Sequence, residues 1–317
     1  MKVLITGSSG FVGAHLVRFL SEARPDVELF GLARRPCSGA RCFTADIMDP
    51  AAVDAVFDAV TPDRIVHLAA QSSPHLSWQD PRHTLAINVE GLLNVLEAVR
   101  RRQLPARVLV VGSGEEYGPA RSQGPVGEDE PLRPLSPYAV SKIAQGYLGL
   151  QYHLSHKLDV LRTRTFNHTG PGRGASFAES SFAKQIAEIE AGQRPPVIEV
   201  GNLEAMRDFT DVRDVVRAYW ELLEHGKAGE VYNVCSGRGV RIGEILKRLL
   251  ALADVNIDVR EDPERLRPAD IPSLVGSPAR LQAATGWRPE RALEQSLRDL
   301  LDAWRAQVRT STPVAGH

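Results

Sequence analysis

A tyrosine and a lysine four positions apart, Tyr138 and Lys142, are the pair whose types and spacing best suit proton transfer. Ser136 and Pro137 directly precede them and are typical of a helix N-cap and a first helical residue. Because residues four apart share a helical face, we expect the two side chains to act together. A nearby ammonium and a helix N-terminus both favour tyrosinate, which predicts a pKa of Tyr138 below its usual value of about 10. Such pairs also arise by chance, so this one gains weight only from its context.

A serine supplies part of that context. Ser113 follows the apolar run 107–112, which is typical of a buried strand. Side chains at the carboxyl end of a central parallel strand project into the crevice where ligands bind. The Ser113 hydroxyl is therefore predicted to hold a substrate carbonyl group, and the alternative is an ordinary turn serine.

A glycine-rich turn, GSSGFVG at residues 7–13, follows the first predicted strand and opens the first predicted helix. That context indicates a dinucleotide-binding turn. A side chain at Gly7 or Gly10 would keep backbone N–H groups from the pyrophosphate, and Gly13 allows the helix to pack closely on the strand. The turn residues predicted to contact the cofactor are Gly7, Gly10, Phe11, Val12 and Gly13.

The end of the second predicted strand distinguishes between the two nicotinamide cofactors. An acidic residue there would accept hydrogen bonds from the adenosine ribose, but the sequence at residues 31–35 is GLARR. Arg34 and Arg35 suit a ribose 2′-phosphate, which predicts NADP(H); the alternative is a pair of solvated loop arginines. Asp46 and Ile47, after a short third strand, are predicted to lie at the adenine.

The elements that must position these residues alternate between short β-branched runs and helical periodicity, which predicts an α/β fold with a doubly wound parallel sheet (Rossmann). The predicted strands are residues 2–6, 27–32, 64–68, 107–112 and 160–165. The predicted helices are residues 10–23, 51–60, 81–102 and 137–156.

The alternation breaks after Phe166, where a glycine- and proline-rich stretch at 170–174 indicates a second, smaller C-terminal lobe. A helix at 212–224 and a strand at 230–234 are predicted to return to the sheet before a further helix at 241–252. The two lobes are therefore expected to interleave. Residues 1–165 form the first domain, to which 207–237 return, and residues 166–317 form most of the second.

The composition excludes several classes of protein. The chain has 317 residues, 43% of them hydrophobic and 24% charged, with a net charge of -1, which argues against a disordered chain and against a whole surface that binds nucleic acid or an anionic membrane. The cysteines Cys37, Cys42 and Cys235 are an odd number without C-x-x-C spacing, so no disulfide framework and no zinc site are expected. The N-terminus is apolar only briefly, and a cytoplasmic location in a reducing compartment is expected.

Together these motifs resemble the extended short-chain dehydrogenase/reductases that act on nucleotide sugars. The resemblance rests on the glycine turn, the sequence HLAAQ at 67–71, Asn88, Ser113 and the Tyr138/Lys142 pair, which occur in the expected order. Further along the chain, FNHTGPG at 166–172, RDFTDV at 207–212 and YNVCSG at 232–237 are most similar to the GDP-mannose branch, and within it to GDP-4-keto-6-deoxy-D-mannose reductases.

The resemblance implies a catalytic triad of Ser113, Tyr138 and Lys142, with NADPH as hydride donor and Lys142 also on the nicotinamide ribose. It further implies a homodimer through the helices at 81–102 and 137–156. Additional cofactor-binding residues are Leu68, Ala69, Ala70, Gln71 and Asn88. Residues implied to bind the GDP-linked sugar are Ser72, Ser113, Glu115, Asn167, Lys184, Arg207 and Arg267. Three of these residues have alternative interpretations. Lys184 could be a solvated helix lysine, and Arg207 could form an ion pair with Asp208. Arg265 is an alternative to Arg267 for the same binding role.

Three functions remain open on the sequence. The leading hypothesis is NADPH-dependent reduction of the C4 keto group of a GDP-4-keto-6-deoxyhexose to a GDP-6-deoxyhexose such as GDP-D-rhamnose. The runner-up is a GDP-mannose 4,6-dehydratase or a 4-epimerase. Dehydratases of this branch carry Thr-x-Glu where this chain has Ser113-Gly114-Glu115, and their Glu removes the sugar C5 proton, so the resemblance implies that Glu115 is a further catalytic residue while the changed threonine argues against dehydration. The third is a non-catalytic NADP-sensing protein, against which the intact serine, tyrosine and lysine argue.

Overall fold

The computed structural model describes residues 1–120, 124–265 and 271–311. The strands are β1 (Lys2–Thr6), β2 (Glu28–Ala33), β3 (Arg41–Thr44), β4 (Arg64–His67), β5 (Arg107–Ser113), β6 (Asp159–Thr165), β7 (Asn167–Thr169), β8 (Val197–Val200), β9 (Met206–Asp211), β10 (Val231–Val234), β11 (Gly239–Arg241), β12 (Asp258–Glu261) and β13 (Ser273–Leu274). The helices are α1 (Phe11–Ala23), α2 (Pro50–Val60), α3 (Pro74–Gln79), α4 (Pro81–Leu85), α5 (Gly91–Arg101), α6 (Pro137–His156), α7 (Ala178–Glu190), α8 (Val212–His225), α9 (Ile242–Leu250), α10 (Ala279–Thr285) and α11 (Leu293–Ser311).

Seven parallel strands form the large sheet in the order β10-β6-β5-β4-β1-β2-β3. Helices cover both faces: α1 packs with α8 on one side, whereas α2, α5 and α6 pack on the other. The strand order reverses between β1 and β4, and in such sheets ligands bind in the crevice beyond the carboxyl ends of the strands at that point. The predicted doubly wound fold is confirmed.

The predicted helix at 81–102 is not continuous. Helix α4 ends at Leu85, a π-helical turn occupies Ala86–Glu90, and α5 starts at Gly91. Asn88 lies in the turn and is fully buried. Its side-chain amide hydrogen-bonds with Gln71 and Ser141, which lie on two other segments. A π-helical turn is the local distortion that allows one helix residue to point where regular spacing would not.

The smaller lobe contains the remaining strands. Strand β9 pairs with β7, β11 and β13, and β8 pairs with β12. Helices α7, α9 and α11 pack together over an apolar core of their own. Of the segment 207–237, β9 belongs to this lobe, whereas α8 and β10 lie on and in the large sheet.

Cys37 and Cys42 are joined by a disulfide, with their Cα atoms 5.8 Å apart. This corrects the expectation that the cysteines are unpaired. An odd cysteine count excluded full pairing, yet β2 and β3 are parallel neighbours and the loop between them brings these two residues together. Cys235 is buried and not disulfide-bonded.

None of the helices in the described ranges is both long and apolar enough to cross a membrane.

Candidate active site

A cavity of about 610 Å³ opens at the carboxyl ends of the strands of the large sheet. It gathers most of the residues that the sequence predicted for cofactor and substrate. From the predicted cofactor set, its walls include Gly7, Gly10, Phe11, Val12, Gly13, Arg34, Arg35, Asp46, Ile47, Leu68, Ala69, Ala70, Gln71, Tyr138 and Lys142. From the predicted substrate set, they include Ser72, Ser113, Glu115 and Asn167.

The glycine turn after β1 leaves no room for a side chain at Gly7 or Gly13. Gly7 has a φ of 70°, and a Cβ there would lie 2.9 Å from the backbone nitrogen of Ala69. A Cβ at Gly13 would overlap the Gly7 carbonyl oxygen. Gly10 caps α1 without a side-chain hydrogen bond, so the first N–H groups of the helix stay available to an anion. The turn therefore fits a dinucleotide pyrophosphate.

Arg34 and Arg35 follow β2, are exposed and line the same cavity. Within the described residues, neither guanidinium has an ion pair or a hydrogen bond. Both charges are therefore available to a phosphate. Ile47 lines the same cavity, and its carbonyl oxygen accepts a 2.9 Å hydrogen bond from Asn94 Nδ2.

Tyr138 occupies the first turn of α6, which begins as predicted. The Ser136 hydroxyl accepts a hydrogen bond from Ala139 N at 3.1 Å, and Pro137 is the first helical residue. Tyr138 is buried, and both Tyr138 and Ser113 line the cavity. The Ser113 side chain lies close enough to Tyr138 to influence its pKa.

The direction of the Tyr138 pKa shift is opposite to the expected one. Burial raises the pKa of Tyr138; the Ser113 side chain acts against this, and the nearby carboxylates of Glu115 and Glu116 add to it. The expected lowering is wrong because desolvation outweighs the helix terminus and because the Lys142 ammonium is bound elsewhere. A raised pKa keeps the hydroxyl protonated at neutral pH, and a protonated hydroxyl is a proton donor.

Lys142 is held against the sheet. Its Nζ donates to the Val111 carbonyl oxygen at 2.9 Å and to Gln145 Oε1 at 2.8 Å. Burial lowers the pKa of Lys142 to about 8, and the charge of Glu116 opposes that shift. Gln145 is fully buried and lies one helical turn beyond Lys142, yet the sequence analysis did not single it out.

A buried ion pair fixes the end of β5. Glu116 Oε1 accepts a hydrogen bond from Ser113 N at 2.8 Å, and its Oε2 accepts one from Arg164 Nε at 3.0 Å. Burial raises the pKa of this carboxyl, which the Arg164 charge opposes. Glu116 therefore orients the backbone that carries the Ser113 hydroxyl. The serine with a glutamate three residues later is a capping-box signature and is the signal that would have identified Glu116.

Arg173 was also missed, although it lines the cavity. Its guanidinium carbon lies 3.3 Å from the centre of the Phe177 ring and 5.2 Å from that of Phe11, and its Nε lies 3.5 Å from Glu179 Oε1. Burial lowers the pKa of Arg173, whereas Glu179 raises it. Arg173 stands between Gly172 and Gly174, and an arginine within a glycine-rich loop is the sequence signal that would have identified it.

A family model described as GDP-mannose 4,6 dehydratase matches residues 4–300. The chain belongs to the GDP-mannose 4,6-dehydratase family. It is 40% identical over 309 residues to a GDP-6-deoxy-D-mannose reductase of Pseudomonas aeruginosa, covering 97% of this chain and 98% of that protein. It is 28% identical to GDP-mannose 4,6 dehydratase 2 of Arabidopsis thaliana, covering 94% of this chain and 85% of that protein. The resemblance drawn from the motifs is confirmed.

Solved structures similar to this member of the GDP-mannose 4,6-dehydratase family carry nicotinamide cofactors. RMD from Pseudomonas aeruginosa complexed with NADPH has a TM-score of 0.87 and 39% identity, covering 96% of this chain and 99% of that one. A UDP-glucose 4-epimerase of Thermus thermophilus in complex with NAD has a TM-score of 0.86 and 29% identity, covering 96% of this chain and 99% of that one.

Other predicted residues of this GDP-mannose 4,6-dehydratase family member lie away from the cavity walls. Asn88 is buried behind them, where its Oδ1 accepts from Gln71 N at 2.8 Å and its Nδ2 donates to Ser141 Oγ at 2.8 Å. Lys184 pairs with Glu188 at 2.7 Å on α7. Arg207 is buried in β9, where Nη1 donates to the Ile271 carbonyl oxygen at 2.6 Å. Arg267 lies outside the described residues.

Proposed function

We propose that the chain reduces the C4 keto group of a GDP-4-keto-6-deoxyhexose with NADPH, giving a GDP-6-deoxyhexose such as GDP-D-rhamnose. The observation that carries this proposal is the buried Tyr138 hydroxyl, which is kept protonated and lies beside Ser113 in the same cavity as the glycine turn. The 40% identity to the Pseudomonas aeruginosa reductase supports the choice of substrate.

The proposed cofactor is NADP(H). The glycine turn would hold its pyrophosphate, Arg34 and Arg35 its 2′-phosphate, and Lys142 its nicotinamide ribose. When bound, the cofactor supplies a hydride to C4 of the sugar. Asn167 and Ser72 line the cavity and are proposed to contact the substrate.

Tyr138 completes the reduction by giving its hydroxyl proton to the C4 oxygen, which the Ser113 hydroxyl holds by a hydrogen bond. One hydride and one proton therefore reach the sugar in each cycle. Solvent then reprotonates the tyrosinate that remains, and the cationic Lys142 would hold the nicotinamide ribose beside it. His168 is not suited to the donor role, because burial lowers its pKa to about 3 and leaves the imidazole neutral.

The runner-up function is dehydration of GDP-mannose. Glu115 lines the cavity at the position where dehydratases of this branch carry the base, which favours that reading. The replacement of the dehydratase threonine by Ser113 favours reduction. Whole-chain identity supports reduction as well, at 40% to the reductase and 28% to the Arabidopsis dehydratase.

Hydride accounting separates the two reactions. A dehydratase returns the hydride to the sugar, whereas a reductase oxidises one NADPH per sugar. We expect purified protein to oxidise one NADPH for each GDP-4-keto-6-deoxymannose, and the absorbance of the reduced cofactor measures this. With a trace of NADP⁺, the protein should leave GDP-mannose unchanged. Loss of one water from GDP-mannose at ordinary turnover would show that the chain is a dehydratase, and Glu115→Gln would then abolish that loss.

We further propose a homodimer acting in the cytoplasm. Two apolar stripes support the dimer: Leu85 and Leu93 on α4 and α5, and Val140, Tyr147 and Leu154 on α6. Tyr147 is 54% exposed and Leu154 59% exposed, and both stripes lie on neighbouring helices of one face. Exposed apolar side chains on neighbouring helices are typical of a surface that another copy covers.

A further inference from the structure

The disulfide Cys37–Cys42 lies in the loop that carries the two cavity arginines. Arg34 and Arg35 follow the end of β2, Cys37 comes two residues later, and Cys42 is the second residue of β3. The bond therefore closes the chain directly beside the proposed 2′-phosphate site. Nothing in the proposed reduction uses these sulfur atoms.

The sulfur atoms also contact the glycine turn. A Cβ at Gly31 would lie 2.7 Å from Cys37 Sγ and would overlap the Ser8 hydroxyl. Cys42 Sγ lies 3.9 Å from Ser8 Oγ, and Ser8 is buried within the turn that fits the pyrophosphate. The disulfide thus lies between the arginine loop and the turn that fits the pyrophosphate of the same dinucleotide.

We propose that Cys37 and Cys42 form a thiol–disulfide modification site whose oxidation strengthens binding of the 2′-phosphate of NADP(H). This inference rests on the proposed cofactor. The disulfide fixes the loop after β2 in one conformation, and Arg34 and Arg35 reach the phosphate from that loop. Reduction frees the loop, so both arginine side chains must then be ordered when the cofactor binds, and that ordering opposes binding.

The chemistry is thiol–disulfide exchange with a small disulfide such as glutathione disulfide. One cysteine thiolate attacks the reagent, forms a mixed disulfide and releases one reagent thiol. The second cysteine attacks that mixed disulfide, forms the Cys37–Cys42 bond and releases the second thiol. Two electrons pass from the cysteines to the reagent, and the two released thiols take up the two protons. A dithiol such as dithiothreitol reverses the exchange.

The surroundings of the pair suit such reactivity. Cys37 and Cys42 are half-buried, and the exposed Arg34, Arg35 and Arg41 lie within three residues of them in the chain. Cationic neighbours of this kind are typical of exchangeable cysteines. Cys235 differs in both respects. It is buried, and burial raises its pKa well above the ordinary value, so it is not expected to exchange.

Direct binding of the cofactors to the full chain tests the proposal. Dissociation constants for NADPH and for NADH are measured by calorimetry without sugar substrate, after treatment with glutathione disulfide or dithiothreitol. Thiol counting by mass spectrometry verifies each state. We expect reduction to weaken NADPH about five- to twentyfold, as ordering two side chains implies, and to leave NADH within about twofold. The Cys37→Ser/Cys42→Ser variant should bind both cofactors as the reduced protein does under either treatment.

The outcomes separate the inference from the function beneath it. If the oxidised protein prefers NADPH over NADH and reduction changes neither constant, the inference is wrong and the cofactor assignment stands. If the oxidised protein shows no preference for NADPH over NADH, both the cofactor assignment and the inference are wrong. A redox effect that persists in the double serine variant would place the sensitivity at Cys235 and overturn the proposal, as would equal weakening of NADH and NADPH.

Discussion

At the scale of single residues, the protonation states of Tyr138 and Lys142 set the direction of the chemistry. Burial raises the pKa of Tyr138 and lowers that of Lys142 to about 8, because the charged form of each side chain is disfavoured away from water. At neutral pH, Tyr138 is therefore a neutral donor and Lys142 a cation. That combination delivers a proton to a developing alkoxide, as ketone reduction requires.

The change Tyr138→Phe removes only the donated proton. We expect kcat for the keto-sugar to fall about 10²–10⁴-fold, the usual contribution of a positioned general acid. NADPH affinity and the thermal midpoint should stay close to those of the parent protein. Steady-state kinetics measures kcat, and calorimetric titration measures the affinity for NADPH. Near-normal turnover would show that another group donates the proton.

The pH profile is expected to report Lys142. Activity should fall as pH rises through about 8, because the ammonium loses its charge there while Tyr138 remains protonated. Gln145→Leu removes an acceptor that favours the charged form, so it should move this alkaline limb to lower pH by about one unit.

Two features make Gln145 suitable for this test. Its Nε2 is buried without a hydrogen-bond partner in the described part of the chain, so leucine removes an unpaired buried donor. Lys142 Nζ keeps the Val111 carbonyl oxygen as an acceptor, and the fold should persist. Gln145→Glu is the matched control, since a carboxylate at the same place should move the limb to higher pH. Identical pH profiles for both variants and the parent would show that Gln145 does not position Lys142.

At the scale of elements, the residues of the site lie at the carboxyl ends of strands and at the N-termini of helices. Glu116 binds the backbone of Ser113 at the end of β5 and pairs with Arg164 on β6, so two neighbouring strands fix one hydroxyl. The uncapped start of α1 faces the anion site beyond β1. The loop after β2 supplies the cations that distinguish the two cofactors.

Removing either loop arginine should therefore reduce cofactor discrimination. Arg34→Ala or Arg35→Ala is expected to weaken NADPH about ten- to hundredfold, since a charged hydrogen bond to phosphate contributes about 1.5–3 kcal/mol, and to leave NADH nearly unchanged. Arg18→Ala is the matched control, because Arg18 is exposed and pairs with Glu22 on α1 away from the cavity. An unchanged ratio of NADPH to NADH affinity in both loop variants would contradict the assignment.

At the scale of the whole molecule, the chain crosses between its lobes more than once. Strand β9 belongs to the smaller lobe, and α8 and β10 then complete the large sheet. The cavity wall combines residues of both regions, with Arg173 and Phe177 facing the glycine turn from the loop that follows β7. Five large apolar side chains are exposed on helices α4 to α6, namely Leu85, Leu93, Val140, Tyr147 and Leu154.

Tyr147→Arg with Leu154→Arg should convert the proposed dimer to a monomer, because two charges per protomer would have to be buried at the contact. Light scattering after size-exclusion chromatography measures the mass directly. Val259→Arg is the control, since Val259 is 46% exposed on β12 in the other lobe and its change should leave the mass unaffected. A parent protein that is already monomeric would refute the dimer.

Local patterns in the sequence determined the doubly wound fold, the glycine turn and the helix start at Ser136. Each depends on residues close in the chain, where spacing and turn chemistry act directly. The Tyr138/Lys142 pair was visible for the same reason, since its four-residue spacing is a property of one helix.

Only the tertiary structure decided the rest, because it depends on groups distant in sequence. Desolvation reversed the expected pKa shift of Tyr138, and burial is set by everything that packs around the side chain. The pairing of β2 with β3 brings Cys37 close to Cys42. The π-helical turn orients Asn88 so that its side chain hydrogen-bonds with both Gln71 and Ser141. The loop after β7 places Arg173 beside the glycine turn, more than 150 residues earlier in the chain. Such contacts leave no periodic signal, so only the folded chain reveals them.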